Sequence, residues 1–340
     1  MEIIGIIVEW NPFHNGHKKH IQLIKDRYPE STLIAVTSGD VVQRGEFSII
    51  SKWDKTKIAL ENNVDLVLEL PAWYTLNSAN TFSDGAVRIL NDFGVNKIIF
   101  GSESNDLDTL KEHSLIIQNT SDEQIKEMVK LTQSYPKAIE KIIGAKMLPN
   151  DILGLSYITS GSKINKNIVF ETVMRKHDDT TQSASKIRES LLEGQDISKF
   201  YSEDVEIVNK RIFDRTFLSK LVVVDDNAPD AIKYLSNKFK GFDGNELSDF
   251  ITESSNKSFT EARLKRELMK WYLGIKEEHR AIRILGMSVV GRKYLSNNEF
   301  DYTTNFDKDK ANEEAIARVI DIVYPGTFSR EIKNSPIIKE

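Results

Sequence analysis

The stretch Glu2-Ile3-Ile4-Gly5-Ile6-Ile7-Val8-Glu9-Trp10-Asn11-Pro12-Phe13-His14-Asn15-Gly16-His17 reads as a buried strand, a short turn and the first turn of a helix. Its apolar run is short and β-branched, as a strand covered on both faces should be. Pro12 fixes the turn. A helix that begins near His14 offers unpaired backbone N–H groups and the positive end of its dipole, a natural seat for phosphate. Gly16 would let a nucleotide approach the backbone closely. His14 and His17 stand three residues apart, so both imidazoles can face one phosphate chain and donate to oxygens that gain charge when the α-phosphorus is attacked. Surface histidines at a turn are the plain alternative. A zinc site is a weaker one, since cysteine is absent and no carboxylate stands at a usual ligand spacing from the pair; no metal ligand is assigned.

Outward from this stretch, strand and helix signals alternate. Apolar runs at Leu33–Thr37, Leu66–Leu70, Lys97–Phe100 and Ile168–Val173 are separated by helical spacing over His17–Tyr28, Lys52–Asn62 and Ala79–Phe93. A more helical region surrounds Thr109–Ile143. Such alternation implies right-handed crossovers and an α/β fold with a doubly wound parallel sheet. Past about residue 200 the pattern turns helical, over Glu203–Leu221, Pro229–Lys240, Glu246–Thr252, Thr260–Gly274, Glu277–Leu295 and Ala311–Val323. Leu221–Val224 reads as a short strand or a helix end. Two domains are expected, an α/β domain over 1–200 and a smaller, mostly α-helical one over 201–340.

Bulk composition narrows the class. The chain has 340 residues, 40% hydrophobic and 29% charged, with a formal charge of −5 and no cysteine. That excludes disulfides and thiolate chemistry and fits a cytoplasmic protein. No apolar run approaches the roughly 18 residues of a membrane span, and the start lacks the pattern of a signal peptide. Residues 257–293 nonetheless carry ten Lys or Arg against four acidic residues. Arg263, Lys265, Arg266 and Lys270 share a helix there with Trp271 and Tyr272, so phosphate contact and base stacking are both open, as is a solvated face over core aromatics.

His14-Asn15-Gly16-His17 resembles the H-x-G-H signature of the nucleotidyltransferase superfamily, which implies a Rossmann-like sheet. Together with Ser38-Gly39-Asp40, Val42-Gln43-Arg44-Gly45-Glu46, Asp65-Leu66-Val67-Leu68-Glu69-Leu70-Pro71, Phe100-Gly101-Ser102-Glu103 and Pro149-Asn150-Asp151-Ile152-Leu153-Gly154, it resembles the bacterial tRNA(Met) cytidine acetate ligases. The likeness is looser in the helical part, where Ile282-Arg283-Ile284-Leu285-Gly286 is its best echo. The resemblance implies activation of acetate with ATP and transfer of the acetyl group to N4 of the wobble cytidine of elongator tRNA(Met). It implies no protein partner and no membrane. On that pattern Ile7, Val8, Glu9, Trp10, Asn11, Pro12, Phe13, His14, Asn15, Gly16, His17, Lys18, Lys19 and His20 wrap ATP, and Gly101, Asn150 and Arg175 complete the site.

Three further readings rest on placement. Gly101 ends a strand at the side of the sheet where ligands bind, Asn150 can read an adenine edge or a ribose hydroxyl, and Arg175 can hold a phosphate. Gln182-Ser183-Ala184-Ser185-Lys186-Ile187-Arg188 resembles the second superfamily motif, with Ser183 or Ser185 as helix cap and Arg188 on the β- and γ-phosphates. Asp40, Gln43, Arg44 and Lys52 are candidates for the acyl substrate, for phosphate or for magnesium carried on the triphosphate. An adenylyltransferase or synthetase acting on a small metabolite, or a non-catalytic nucleotide- or RNA-binding protein, remain alternatives at this point.

Overall fold

The computed structural model describes residues 2–175, 183–196, 217–244, 246–276, 282–304 and 336–340. Five parallel strands form the centre: β1 (Ile3–Val8), β2 (Thr32–Ser38), β5 (Leu66–Leu70), β6 (Lys97–Ser102) and β7 (Val169–Met174). They lie in the order β5-β2-β1-β6-β7. The chain runs outward from β1 through β2 to β5, then crosses back to place β6 on the other side of β1. That reversal is a topological switch point, and ligands in open α/β sheets bind in the crevice beyond the carboxyl ends of such strands. The fold class is therefore the expected one.

Strand residues alternate between two cores. Ile34, Val36, Leu66, Leu68, Ile98 and Phe100 face one helical layer, whereas Ile4, Ile6, Leu33, Ala35, Val67 and Ile99 face the other. The first layer includes α4 (Ala79–Asp92), α5 (Leu107–Gln118) and α8 (Pro149–Ile164); the second includes α1 (Asn15–Arg27) and α2 (Lys52–Glu61). Between them in sequence come α3 (Ala72–Thr75), α6 (Asp122–Thr132) and α7 (Tyr135–Ile143). Helix α8 lies beyond the helical region expected around Thr109–Ile143; Pro149 occupies its first turn, where a missing N–H costs nothing.

Two corrections concern the later part. Glu277–Leu295, expected as one helix, contains β8 (Ile282–Ser288) followed by α13 (Val289–Ser296), and 277–281 lie outside the described residues. β8 joins the sheet antiparallel to β5, and β9 (Tyr302–Thr303) and β10 (Ile337–Lys339) pair with it. Its Ile284 and Leu285 are fully buried, so both faces of the strand are covered, and burial overrode the helical spacing. Leu221–Val224 forms no strand; Val222 and Val223 stand exposed after Leu221. The expected helices over Glu203–Leu221 and Ala311–Val323 fall mostly or wholly outside the described residues.

The remaining helices are α9 (Ala184–Leu192), α10 (Asp230–Phe239), α11 (Leu247–Ser254) and α12 (Glu261–Leu273). Pro229 caps α10 from outside rather than opening it. A third core joins Phe217, Leu235, Phe250 and Leu268 to Val41 and Phe47. Those last two belong to a small hairpin, β3 (Val41–Val42) and β4 (Glu46–Phe47), which follows β2.

Candidate active site

The turn after β1 is braced from beneath. Trp10 and Phe13 are buried and their rings pack at 5.1 Å. The Asn11–Pro12 peptide is cis, and the Asn11 Oδ1 accepts the main-chain N–H of Ile49 at 2.7 Å. Glu9 accepts the Ser38 hydroxyl at 3.0 Å and the Gln43 N–H at 2.8 Å, tying this turn to the loop after β2. Within Trp10–Phe13, then, side chains build the turn; His14 after it is buried too, and Asn15, Gly16 and His17 are half-buried.

His14 is the N-cap of α1. Its Nδ1 accepts the Gly16 N–H at 3.0 Å, and its own main-chain N–H donates to Nδ1 of His17 at 3.2 Å. This is a reciprocal capping box made from two histidines. With both Nδ1 atoms accepting, the proton of each neutral ring sits on Nε2. The ring centroids lie 3.9 Å apart at 33°, so the two imidazoles sit side by side at the helix start. Gly16 serves this arrangement directly, because a Cβ there would come within 2.8 Å of the His14 ring. Burial, and then the charges of His14, Arg175 and His20, hold His17 well below its usual pKa. Burial followed by Arg175 pushes His20 down to about 4. His17 is therefore a neutral donor at pH 7, suited to phosphate oxygens without contributing full charge. Lys18 is half-buried and Lys19 exposed on the same helix.

Arg175 follows β7, its N–H held by the Ser102 carbonyl at 2.8 Å. Its aliphatic stem lies over Gly101, where any Cβ would meet Cγ and Cδ at 2.9 Å. Gly101 thus clears a path for the arginine, a reason distinct from close approach of adenosine. The Arg175 Nη1 donates to Asn150 Oδ1 at 2.7 Å. Gly101, Asn150 and Arg175, widely separated in sequence, are one contact chain beside the histidines. Sequence reasoning missed Glu103 and Asp151 as parts of it, although both stand in the stretches quoted above. Glu103 accepts from Asn150, and Asp151 accepts from the Ser102 hydroxyl.

Ser183 caps α9 by accepting the Lys186 N–H at 3.3 Å. Ser185 instead accepts from Arg188 at 3.1 Å, and Arg188 also donates to the Asn11 carbonyl. The second motif therefore docks on the first. Burial, and then the charge of Arg44, lower the Arg188 pKa; Gln43 and Arg44 lie between the two strands of the hairpin.

Asp40 and Lys52 differ from expectation. Both are buried; Asp40 accepts the Lys52 N–H at 2.8 Å, and the Lys52 Nζ lies 3.1 Å from Glu69 and 3.7 Å from Asp40. Next to them Lys55 is fully buried, donates to the Gly39 carbonyl at 2.9 Å, and is pushed by burial down to about 8. These charges anchor the start of α2 to the loop after β2. The Asp40 Oδ1 is thus bonded to main chain, and its Oδ2 lies 3.7 Å from Lys52 Nζ. Among the described residues no group of three or more His, Asp or Glu side chains is placed to hold a metal.

The basic helix is α12. Arg263 is exposed, bonded to the Ser258 carbonyl and lying over Phe259 at 5.1 Å. Lys265 pairs with Glu46 at 2.9 Å, Lys270 with Glu267 at 2.8 Å, and Arg266 is held partly buried. Tyr272 belongs to the third core and Trp271 packs against it, so base stacking on Tyr272 is closed off.

A histidine capping box at the switch point of the sheet, with arginines from two later elements, fits the nucleotidyl-transfer class. The HIGH Nucleotidyl Transferase family matches residues 1–325. A tRNA(Met) cytidine acetate ligase of Fusobacterium nucleatum is 34% identical over 91% of this chain and 87% of its own. One from Caldicellulosiruptor saccharolyticus is 33% identical over 90% and 88%. The crystal structure of Thermotoga maritima TmcAL bound with alpha-thio ATP superposes with a TM-score of 0.78 at 25% identity, covering 99% of both chains. The chain belongs to the tRNA(Met) cytidine acetate ligase family and is an ATP-dependent ligase.

Proposed function

We propose that this enzyme joins acetate to ATP as acetyl-adenylate and then acetylates N4 of the wobble cytidine of elongator tRNA(Met). In the first step an acetate oxygen attacks the α-phosphorus and the bond to the β-phosphate oxygen breaks, releasing pyrophosphate. In the second the cytidine amine attacks the acetyl carbonyl, AMP leaves with the former acetate oxygen, and the amine loses a proton.

The observation that carries the reading is the histidine capping box. On this reading its Nε2–H donors meet the α-phosphate, where negative charge develops. Arg175 supplies positive charge from the β7 side, and Arg188 with Arg44 lies on the side expected for the departing pyrophosphate. No side-chain nucleophile is needed, because the substrate carboxylate attacks directly and the protein contributes positioning and charge. Magnesium would enter on the triphosphate as its counter-ion. Arg263, exposed on α12, is a candidate contact for acceptor phosphates. The cytoplasm is the compartment this reading requires.

Incubation with ATP, magnesium and labelled acetate, with and without tRNA, tests it. Label is expected in acetyl-adenylate without RNA and in tRNA(Met) when RNA is added. Label in neither sinks the proposal, and label in adenylate alone removes the tRNA step.

A further inference from the structure

Two carboxylates join the loop after β6 to the first turn of α8, and they have different tasks. Asp151 is buried and takes the Ser102 hydroxyl together with the N–H groups of Glu103 at 3.2 Å and Ser104 at 3.1 Å. It holds the loop in place without help from the Glu103 side chain. Glu103 faces the other way. Its Oε2 accepts the main-chain N–H of Asn150 at 3.0 Å, and its Oε1 accepts the Asn150 side-chain N–H.

The first of these bonds caps a helix whose own cap residue, Leu148, supplies no side-chain bond. The second does something a cap does not require. An ionised carboxylate only accepts, so the NH2 end of the Asn150 amide must face it. The amide oxygen is thereby turned to the opposite side, where it receives Arg175 Nη1 at 2.7 Å. A reversed amide would set oxygen against carboxylate and NH2 against guanidinium, losing both bonds. Arg175 in turn rests its stem over Gly101 and places its charge against His17 and His20.

We propose that Glu103 is a positioning residue of the nucleotide site: through Asn150 it sets the direction from which the Arg175 guanidinium meets the bound nucleotide. Glu103 touches no reacting atom. The inference rests on the ATP-dependent reading above, and it adds a residue outside the histidine motif whose loss acts on ATP before it acts on chemistry.

The experiment uses the full-length enzyme and measures ATP affinity by calorimetry, KM for ATP and kcat in adenylate formation, and the melting temperature. Glu103→Gln keeps an acceptor for the Asn150 main-chain N–H but presents a donor to its NH2 group. KM for ATP is expected to rise about tenfold, the scale of one hydrogen bond to a charged group, with kcat and Tm little changed. Asn150→Asp sets two carboxylates together and should show a similar or larger loss. The double variant, Glu103→Gln with Asn150→Asp, again faces a donor with an acceptor, their roles exchanged. Recovery of KM to within about threefold of wild type supports the proposal, because a pair acting as a unit is non-additive. A Glu103→Gln enzyme with unchanged KM, whether or not its Tm falls, reduces Glu103 to a helix cap and overturns the positioning role. So does a double variant as impaired as the sum of the singles. A wild-type enzyme that binds no ATP overturns the ligase reading itself, a result distinct from either.

Discussion

His14 and His17 combine two jobs that sequence patterns usually assign to different residues. Each closes the helix start through Nδ1, which leaves Nε2 as the donor nitrogen of the neutral ring. His17→Ala should therefore cut adenylate formation at least about a hundredfold, as loss of one preorganised donor does, and also loosen the cap. Single-turnover rates beside thermal melts separate the two effects. The pH dependence follows from a neutral His17 ring. Because His17 is held well below 6.5 in the free enzyme, kcat/KM for ATP should show no His inflection near 6.5; a rise on acidification through that range would show that an imidazolium is required. Stability should behave differently. His20 is lowered from 6.5 to about 4, so the unfolded chain binds the extra proton first and the melting temperature should fall as pH drops across that window. Lys55 carries the same sign at the alkaline end. Its folded value of about 8 lies below the ordinary 10.5, so its burial penalty is complete below about pH 8 and fades as pH rises toward 10.5. Chemical denaturation between pH 8 and 10.5 should show wild type gaining stability relative to Lys55→Met.

Among elements, the β3–β4 hairpin links most and was least legible. From placement alone, Gln43 and Arg44 were candidates for the acyl substrate, for phosphate or for magnesium. In the fold, Val41 and Phe47 enter the third core, Glu46 pairs with Lys265, and Gly45 sits at φ 77° against the backbone of Lys265 and Arg266. A side chain at Gly45 is strained by φ and blocked by main chain that cannot swing aside. Gly45→Ala should therefore cost about 1–3 kcal/mol, read by denaturant unfolding, whereas an exposed glycine such as Gly144 at φ 74° has open space and meets only the backbone strain. Helices α1, α2 and α4 were predictable because their caps and apolar spacing agree. β8 was not, since Ile282–Ser288 has both strand and helix spacing and its type was settled by burial between β5 and β10.

At the scale of the molecule, the division near residue 200 describes the change of pattern but not the sheet, because the chain returns at β8 and β10 to extend it. The hairpin and α12 share a core, so a cationic helix expected to stand apart is packed beside the loop after β2. This sorts the four basic residues. Arg263→Glu should weaken tRNA binding, lower the salt dependence of affinity by about one ion, and leave adenylate formation and melting unchanged. Arg266→Glu should also lower the melting temperature, because burying an unpaired carboxylate is costly. Filter binding over a salt series with parallel melts distinguishes them; equal melting losses at both positions would remove Arg263 as the exposed contact.

The sequence by itself determined the parallel sheet, the helix that opens at His14 and the chemistry of its two imidazoles, because each depends on spacing within a dozen or so neighbouring residues. It also marked Gly101, Asn150, Arg175 and Arg188 individually. Only the tertiary structure decided that Gly101 makes room for Arg175, that Asn150 is turned by Glu103, and that Arg188 docks on Asn11. It likewise turned Asp40 and Lys52 inward as an ion cluster. Those outcomes depend on which strands become neighbours and which carboxylates lose water, and contacts between residues up to 177 apart in sequence leave no local periodicity from which to read them.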